Sequence, residues 1–369
     1  MHYIRLFKQP RLLPLSSSAS SSTLRTLSAK ITITTDLGES FLMSDVNFHA
    51  EIEVDGVSVG AGKEYVWKGT NGMRSLEIQI PVRTSREEGR WTTLVVGPAE
   101  KIYGVNSFEG VLEEGKGNRG GIAKVRSRSI DLKTGATKSE GMAERVFSTG
   151  FGRGEEIRIW EETGESIARH MWDAGLVLSS YLSSLQSSSK PVGSLPTLEK
   201  FLATQQDINI LELGAGCGIV GITLATLFSN RINKILLTDL PEASEILEKN
   251  ITTMASQSDT SLCCSCSHQV LDWSEPLPEG VRGERWELVV VADCTYNPDV
   301  VPDLVHTLKR VREGNKGALI LLAMKVRHDS EMVFFEFMEK EEFVVVERCK
   351  VPLGMVGEEG EEIEIFVFR

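Results

Sequence analysis

From residue 208 onward, apolar stretches of strand length alternate with amphipathic stretches of helix length. The pattern predicts strands at 208–213, 234–239, 268–272, 286–292 and 317–324, interleaved with helices at 218–228, 241–253, 299–312 and 330–340. Alternation of this kind makes an α/β domain, a mostly parallel sheet with helices on both faces. Two final strands, 343–350 and 362–368, are separated by "PLGMVGEEGEE", a Gly-rich turn with no helix, so they form an antiparallel hairpin. Upstream, "SIARHMWDAGLVLSSYLSSL" (166–185) gathers Ala168, Met171, Trp172, Leu176, Leu178 and Leu182 at helical spacing. "EEIRIWEE" before it has the pattern of a connecting strand.

The first half follows a different rule. Period-2 alternation in "KITITTD", "HAEIEVDG", "SLEIQIPV" and "RWTTLVV" predicts a β-rich region over 31–160, with a flexible loop at 104–141 where Gly, Lys, Ser and Arg replace large apolar residues. Residues 1–30 are rich in Leu, Ser and Arg and lack acids, so they are expected to lie outside the fold as a disordered or transit-peptide-like tail. That gives three parts: 1–30, a β-rich accessory region at 31–160, and an α/β domain at 161–369.

The formal charge is −12, but residues 1–35 hold five basic residues and no acid, so the remainder carries −17. Such a body repels nucleic acid and attracts a basic protein segment. No apolar run reaches 18 residues, so no membrane span is expected. The six cysteines lack paired spacing and are expected as free thiols, with no metal site.

Chemistry concentrates in "NILELGAGCGIVGITLATLF". A buried strand enters a loop in which Gly214, Gly216 and Gly218 permit a tight turn and close approach of a ligand. Gly216, Gly218 and Gly221 also satisfy a dinucleotide fingerprint, a weak match on its own. Glu212, two residues before the first glycine, favours a ligand bearing an ammonium group and would oppose a pyrophosphate there. Asp239 ends the second strand, placed to accept from both ribose hydroxyls or to cap the next helix. Asp272 and Trp273 end the third strand, where a carboxylate and an indole can meet adenine, unless the tryptophan is simply core. The fourth strand ends in Ala292, on the cofactor side, and then Asp293 and Tyr296. Those two can orient an amine and wall it with an aromatic ring, or cap and pack.

In the order "MWDAGLVLSSYL", "LELGAGCGIVGI", "LTDLPE", "LDW", "ADCTYNP" and "AMKVRHDSEMVFFEFME", residues 145–369 resemble the seven-stranded Rossmann-type methyltransferases. Within these they resemble methyltransferase family 16, the small protein-lysine methyltransferases. "FLMSDVNFHAEI" is similar to a stretch in a larger member that carries a β extension. The resemblance implies S-adenosylmethionine as cofactor, held by Trp172, Glu212, Gly214, Asp239 and Trp273, and an acceptor side marked by Asp293 and Tyr296. It implies an intracellular enzyme, cytoplasmic or nuclear, whereas the N-terminal composition alone points to the mitochondrion. A monomer acting on a lysine-bearing basic protein is expected. Methylation of a nicotinamide-like small molecule or of another residue, or a silent binding module, are the competing classes.

Overall fold

The computed structural model describes residues 1–13, 24–54, 56–83, 91–112, 121–137, 141–150, 155–163, 167–186, 192–257, 264–354, 356 and 361–369. Its C-terminal half is built on β1 (Ile208–Leu213), β2 (Ile232–Asp239), β3 (Ser265–Val270), β4 (Leu288–Ala292), β5 (Leu319–Met324), β6 (Val345–Leu353) and β7 (Glu361–Phe368). They lie in the order β3-β2-β1-β4-β5-β7-β6. The first five run parallel, β7 is antiparallel to β5, and β6 pairs antiparallel with β7 from Val345 against Phe368 to Leu353 against Glu361. The order reverses between β1 and β4, and at such a point loops splay apart and leave a crevice at the carboxyl ends of the strands.

Helices cover both faces. One face carries α1 (Asp173–Ser184), α2 (Pro196–Thr204), α3 (Ile219–Leu227) and α4 (Ser244–Gln257). The other carries α5 (Val301–Gly314) and α6 (Val333–Lys340). All of α1 is buried, serines included. Ser179 and Ser180 donate back to the carbonyls of Gly175 and Leu176 at 2.8 Å, so their hydroxyls enter the core satisfied. One flank of α1 meets the sheet and the other meets the N-terminal half: Met1, Tyr3, Phe108 and Phe147 share its apolar cluster.

The N-terminal half is two packed sheets. One runs Leu76–Arg83, Leu24–Thr34, His2–Leu12, Ile122–Ala123, Gly104–Val105. The other is ordered Glu156–Glu162, Met142–Ser148, Val125–Ser127, Trp91–Pro98, Asp45–Val54, Val57–Lys68, with Ile130–Asp131 beside Trp91–Pro98. They bury a common core that includes Ile4, Ile31, Ile33, Phe48, Trp67 and Val96.

Three expectations are corrected here. Residues 1–30 are not outside the fold: His2–Leu12 and Leu24–Thr34 are adjacent strands in the middle of their sheet. Tyr3, Ile4, Leu6, Leu27, Ala29 and Ile31 are buried, while Lys8 and Arg11 lie at the surface. The absence of acids therefore reflects a basic strand face. The Ser-rich centre of the expected tail lies outside the described residues. The loop at 104–141 is also part of the sandwich where it is described. It carries four short strands, Gly104–Val105, Ile122–Ala123, Val125–Ser127 and Ile130–Asp131, and a helix, Phe108–Leu112, which buries Phe108 and Val111. Finally, Glu156–Glu162 is an edge strand of the larger sheet, paired along its length with Met142–Ser148.

Candidate functional site

β1 delivers its chain into the crevice through three left-handed glycines, Gly214 (φ 65°), Gly216 (φ 56°) and Gly218 (φ 81°). The loop is tied to β2. Ala215 N donates to Thr238 O at 3.0 Å, and Gly216 N donates to Asp239 Oδ2 at 2.7 Å. Asp239 Oδ1 accepts from Leu240 N at 2.7 Å. Burial keeps the Asp239 carboxyl above its ordinary range despite these two donors. Glu212 is 2% exposed, and its Oε2 accepts from Gly221 N at 2.8 Å. Burial, reinforced by the Asp239 charge, pushes its carboxyl up to about 8. A carboxyl in that condition is neutral at pH 7 unless a cation arrives to hold the charged form.

Glu212 and the start of the glycine loop wall an open cleft. Trp172, Glu212, Gly214, Gly216 and Ala292, all expected from the sequence, line it, joined by His170. The other expected residues are placed differently. A β-carbon at Gly218 would sit 3.0 Å from Leu247 and 3.1 Å from Leu237, so that glycine serves close packing of α3 on β2. Asp239 touches the lining only through Gly216. Asp272 is exposed and accepts from Ser274 N and Oγ at 2.9 and 2.7 Å, which lowers its carboxyl. Trp273 is half-buried, its ring edge 3.3 Å from where a Gly214 β-carbon would stand.

Asp293 and Tyr296 do not share one environment. Asp293 is 8% exposed and Tyr296 51%. Burial raises the Tyr296 phenol. Asp293 has φ 55°, left-handed for a residue with a side chain, and both its oxygens are engaged. Oδ2 accepts from Ala174 N at 2.8 Å, at the start of α1. Oδ1 accepts from Arg327 Nη1 at 2.9 Å. Burial raises the Asp293 carboxyl, with Arg327 opposing.

A buried charge network surrounds this point. Asp173 accepts from Tyr3 Oη at 2.7 Å and from Lys325 Nζ at 3.0 Å, and lies 3.0 Å from Met1 N. Burial alone would raise the Asp173 carboxyl, but the cations at Met1 and Lys325 hold it far below the usual carboxylate range. Arg5 Nη1 stands 3.3 Å from His170 Nδ1 on the cleft wall. Sequence reasoning missed His170, Lys325, Arg327 and Asp36. Lys325 and Arg327 had a signal, since they directly follow a parallel strand at its carboxyl end. Asp36 had none, because the cations that its carboxylate meets, Lys325 and Arg327, lie almost three hundred positions away, at |i−j| of 291 for Arg327.

A family model described as lysine methyltransferase matches residues 152–341. A UPF0665 family protein of Schizosaccharomyces pombe is 33% identical over 178 residues, covering 48% of this chain and 48% of that protein. Protein-lysine N-methyltransferase EFM3 of Saccharomyces cerevisiae is 28% identical over 217 residues, covering 55% of this chain and 58% of its own. Protein-lysine N-methyltransferase EFM6 of the same yeast is 30% identical over 196 residues, 50% of this chain and 74% of its own. The match thus spans about half the length of the fission-yeast protein and of EFM3. With the family model covering more than half of the chain and its sheet in the order β3-β2-β1-β4-β5-β7-β6, this chain belongs to the lysine methyltransferase family.

Proposed function

We propose that this chain transfers a methyl group from S-adenosylmethionine to a lysine of another protein. One observation carries the reading: a glycine-walled cleft at the carboxyl ends of β1 and β4 holds a buried, proton-retaining carboxyl, Glu212, inside a lysine methyltransferase match. The donor set fits the cofactor. Glu212 suits its ammonium, the Gly214–Gly216 backbone leaves room for its amino-acid end, Asp239 suits the ribose, and Asp272 with Trp273 suits the purine. Trp172 and Ala292 close the remaining wall. When bound, S-adenosylmethionine supplies an electrophilic methyl group on a sulfonium.

The protein's own task is to present a neutral amine and keep water away. A free lysine, with a pKa of about 10.4, arrives protonated. Asp293 follows Ala292 of the cleft wall and is the carboxylate assigned to orient it. An incoming ammonium must share that carboxylate with Arg327. Tyr296, exposed at the mouth, supplies an aromatic wall. The charge of −12 favours a basic, lysine-bearing segment as partner, with the chain acting as a monomer away from nucleic acid and membranes. Cytoplasm or nucleus is the compartment this reading favours. Cleavage of a leader at residue 30 would remove two central strands, which weighs against the mitochondrion.

Two outcomes are expected. Calorimetry with S-adenosylhomocysteine, repeated in buffers of different ionisation enthalpy, should show release of close to one proton at pH 7. Glu212 is protonated below about 8 in the free protein, and a ligand ammonium draws it into the charged form. The sign follows: affinity rises with pH between 6 and 7.5. Binding without proton release would remove Glu212 from the ammonium site. Incubation with methyl-labelled S-adenosylmethionine and a cell extract, followed by acid hydrolysis, should yield labelled methyllysine. Label in methylarginine or in the small-molecule fraction would overturn the lysine assignment, and no transfer at all would favour a silent binding module.

A further inference from the structure

We infer that Asp36, contributed by the N-terminal sandwich, is a positioning residue for the acceptor side of the site, acting through Arg327 on Asp293. The inference rests on the methyltransferase reading above for its consequence, and on geometry for its existence.

Asp36 stands just beyond the strand Leu24–Thr34, in a turn closed by Thr35 N to Ser40 O at 2.9 Å and Gly38 N to Thr35 O at 3.0 Å. Its side chain is 1% exposed. Oδ2 accepts from Arg327 Nη2 at 2.6 Å, and Oδ1 lies 3.5 Å from Lys325 Nζ. Its own carbonyl accepts from Arg5 Nη2 at 2.7 Å. The other terminal nitrogen of Arg327, Nη1, donates to Asp293 Oδ1 at 2.9 Å. One planar guanidinium therefore spans two buried carboxylates from different halves of the molecule. Because the fork is rigid, the position of one carboxylate constrains the other. The Arg327 guanidinium also lies 5.7 Å from the centre of the Trp172 ring, which lines the cleft.

A merely adhesive contact between the halves needs no such arrangement. Apolar packing around α1 already joins them, and buried charges are a poor adhesive because their desolvation offsets their attraction. What this bridge adds is direction. It meets the sheet at Asp293, where the backbone is left-handed and the chain turns from the cleft wall towards Tyr296. Asp293 has three held contacts: Arg327, the Ala174 N–H, and its own N–H on the Ala323 carbonyl at 3.0 Å. The Arg327 contact is the one that depends on the sandwich. The sandwich is thus part of the site, and without Asp36 the Arg327 fork would be fixed from the Asp293 side alone, no longer setting the direction in which it meets that carboxylate.

The test compares Asp36→Asn and Arg327→Lys with the wild-type full chain. The first keeps shape and loses charge. The second keeps charge and loses the fork, so it stands in if the first fails to fold. Three measurements are made: S-adenosylhomocysteine affinity by calorimetry, single-turnover label transfer from S-adenosylmethionine into extract protein, and titration of Asp293 by carbon-13 NMR of aspartate-labelled protein. The groups facing Asp293 are Arg327, Asp36 and the Cys294 thiol. Removing the Asp36 charge leaves Arg327 to Asp293 alone, so the Asp293 midpoint should fall, by about half a pH unit or more. Affinity in both variants should stay within about threefold of wild type while transfer drops about tenfold or more. Transfer at wild-type rate in Asp36→Asn, or an unmoved Asp293 midpoint, would overturn the inference. So would parallel loss of melting temperature, affinity and transfer in both variants, the mark of a purely structural bridge. If the wild-type chain labels no lysine, the proposed function fails, and the NMR titration still decides whether Asp36 acts on Asp293.

Discussion

Deleting residues 1–34 is expected to leave no folded, soluble protein. His2–Leu12 and Leu24–Thr34 pair with each other from Tyr3 against Thr34 to Leu12 against Leu27, and Leu24–Thr34 also pairs along its length with Leu76–Arg83. Their loss strips Leu76–Arg83 of its strand partner and opens the core between the two sheets. Ile4, Leu6, Leu27, Ile31 and Ile33 are each at most 2% exposed. Side chains buried to that degree contribute about 1.5–3 kcal/mol apiece, and whole domains are stable by only about 5–15 kcal/mol. The deletion also removes Tyr3 from Asp173 and uncovers α1, the helix on which Trp172 and Ala174 depend. Expression, size-exclusion chromatography and circular dichroism check this directly. A soluble monomer that melts like the full chain and still binds S-adenosylhomocysteine would show that these strands are dispensable.

Gly216→Arg is expected to abolish cofactor binding in a chain that still folds. Gly216 lies at φ 56°, and a β-carbon there would stand 3.2 Å from the Ala168 carbonyl on the far wall of the loop. The strain of a left-handed non-glycine residue is about 1–3 kcal/mol, a loss a two-domain fold tolerates. The larger effect is occupancy, because the arginine side chain fills the space that the glycine backbone leaves for a ligand. Gly216 N also anchors Asp239, so distortion there reaches the ribose position. Calorimetry should find at least a hundredfold loss of S-adenosylhomocysteine affinity, about 2.7 kcal/mol or more. A folded variant that binds as tightly as wild type would remove the glycine loop from the cofactor site.

The α/β half was legible because each of its elements is decided locally. β1 was placed at 208–213 by the apolar positions of "INILEL" running into the glycine loop, and the structure has it at Ile208–Leu213. The β6–β7 hairpin followed from a Gly-rich turn too short for a crossover helix. Elsewhere the deciding information was not local. Val57–Lys68 was not singled out because Gly60, Gly62 and Lys63 interrupt the alternation of Val57, Val59, Ala61, Tyr65 and Trp67, and because a sheet edge leaves most of these positions exposed. His2–Leu12 was missed because its basic outward face and the serines after it resemble a leader in composition, although the inward residues are core. In the site, Glu212, Gly214, Gly216, Trp172 and Ala292 converge because they sit at the carboxyl edges of neighbouring strands or at the start of α1, which the fold class dictates. Asp293 was expected on one cavity with Tyr296, yet it faces Ala174 and Arg327. That difference comes from the backbone turning left-handed at a single residue and from a cation supplied by the end of β5, neither of which spacing reveals.

The most direct test of this site is a crystal structure of the full chain with S-adenosylhomocysteine. The ligand should lie across the carboxyl ends of β1 and β4, its ammonium at Glu212, its ribose at Asp239, its purine beside Asp272 and Trp273, and its sulfur facing Ala292 and Trp172. Ligand density at any other place on the chain, with this cleft left clear, would contradict the account.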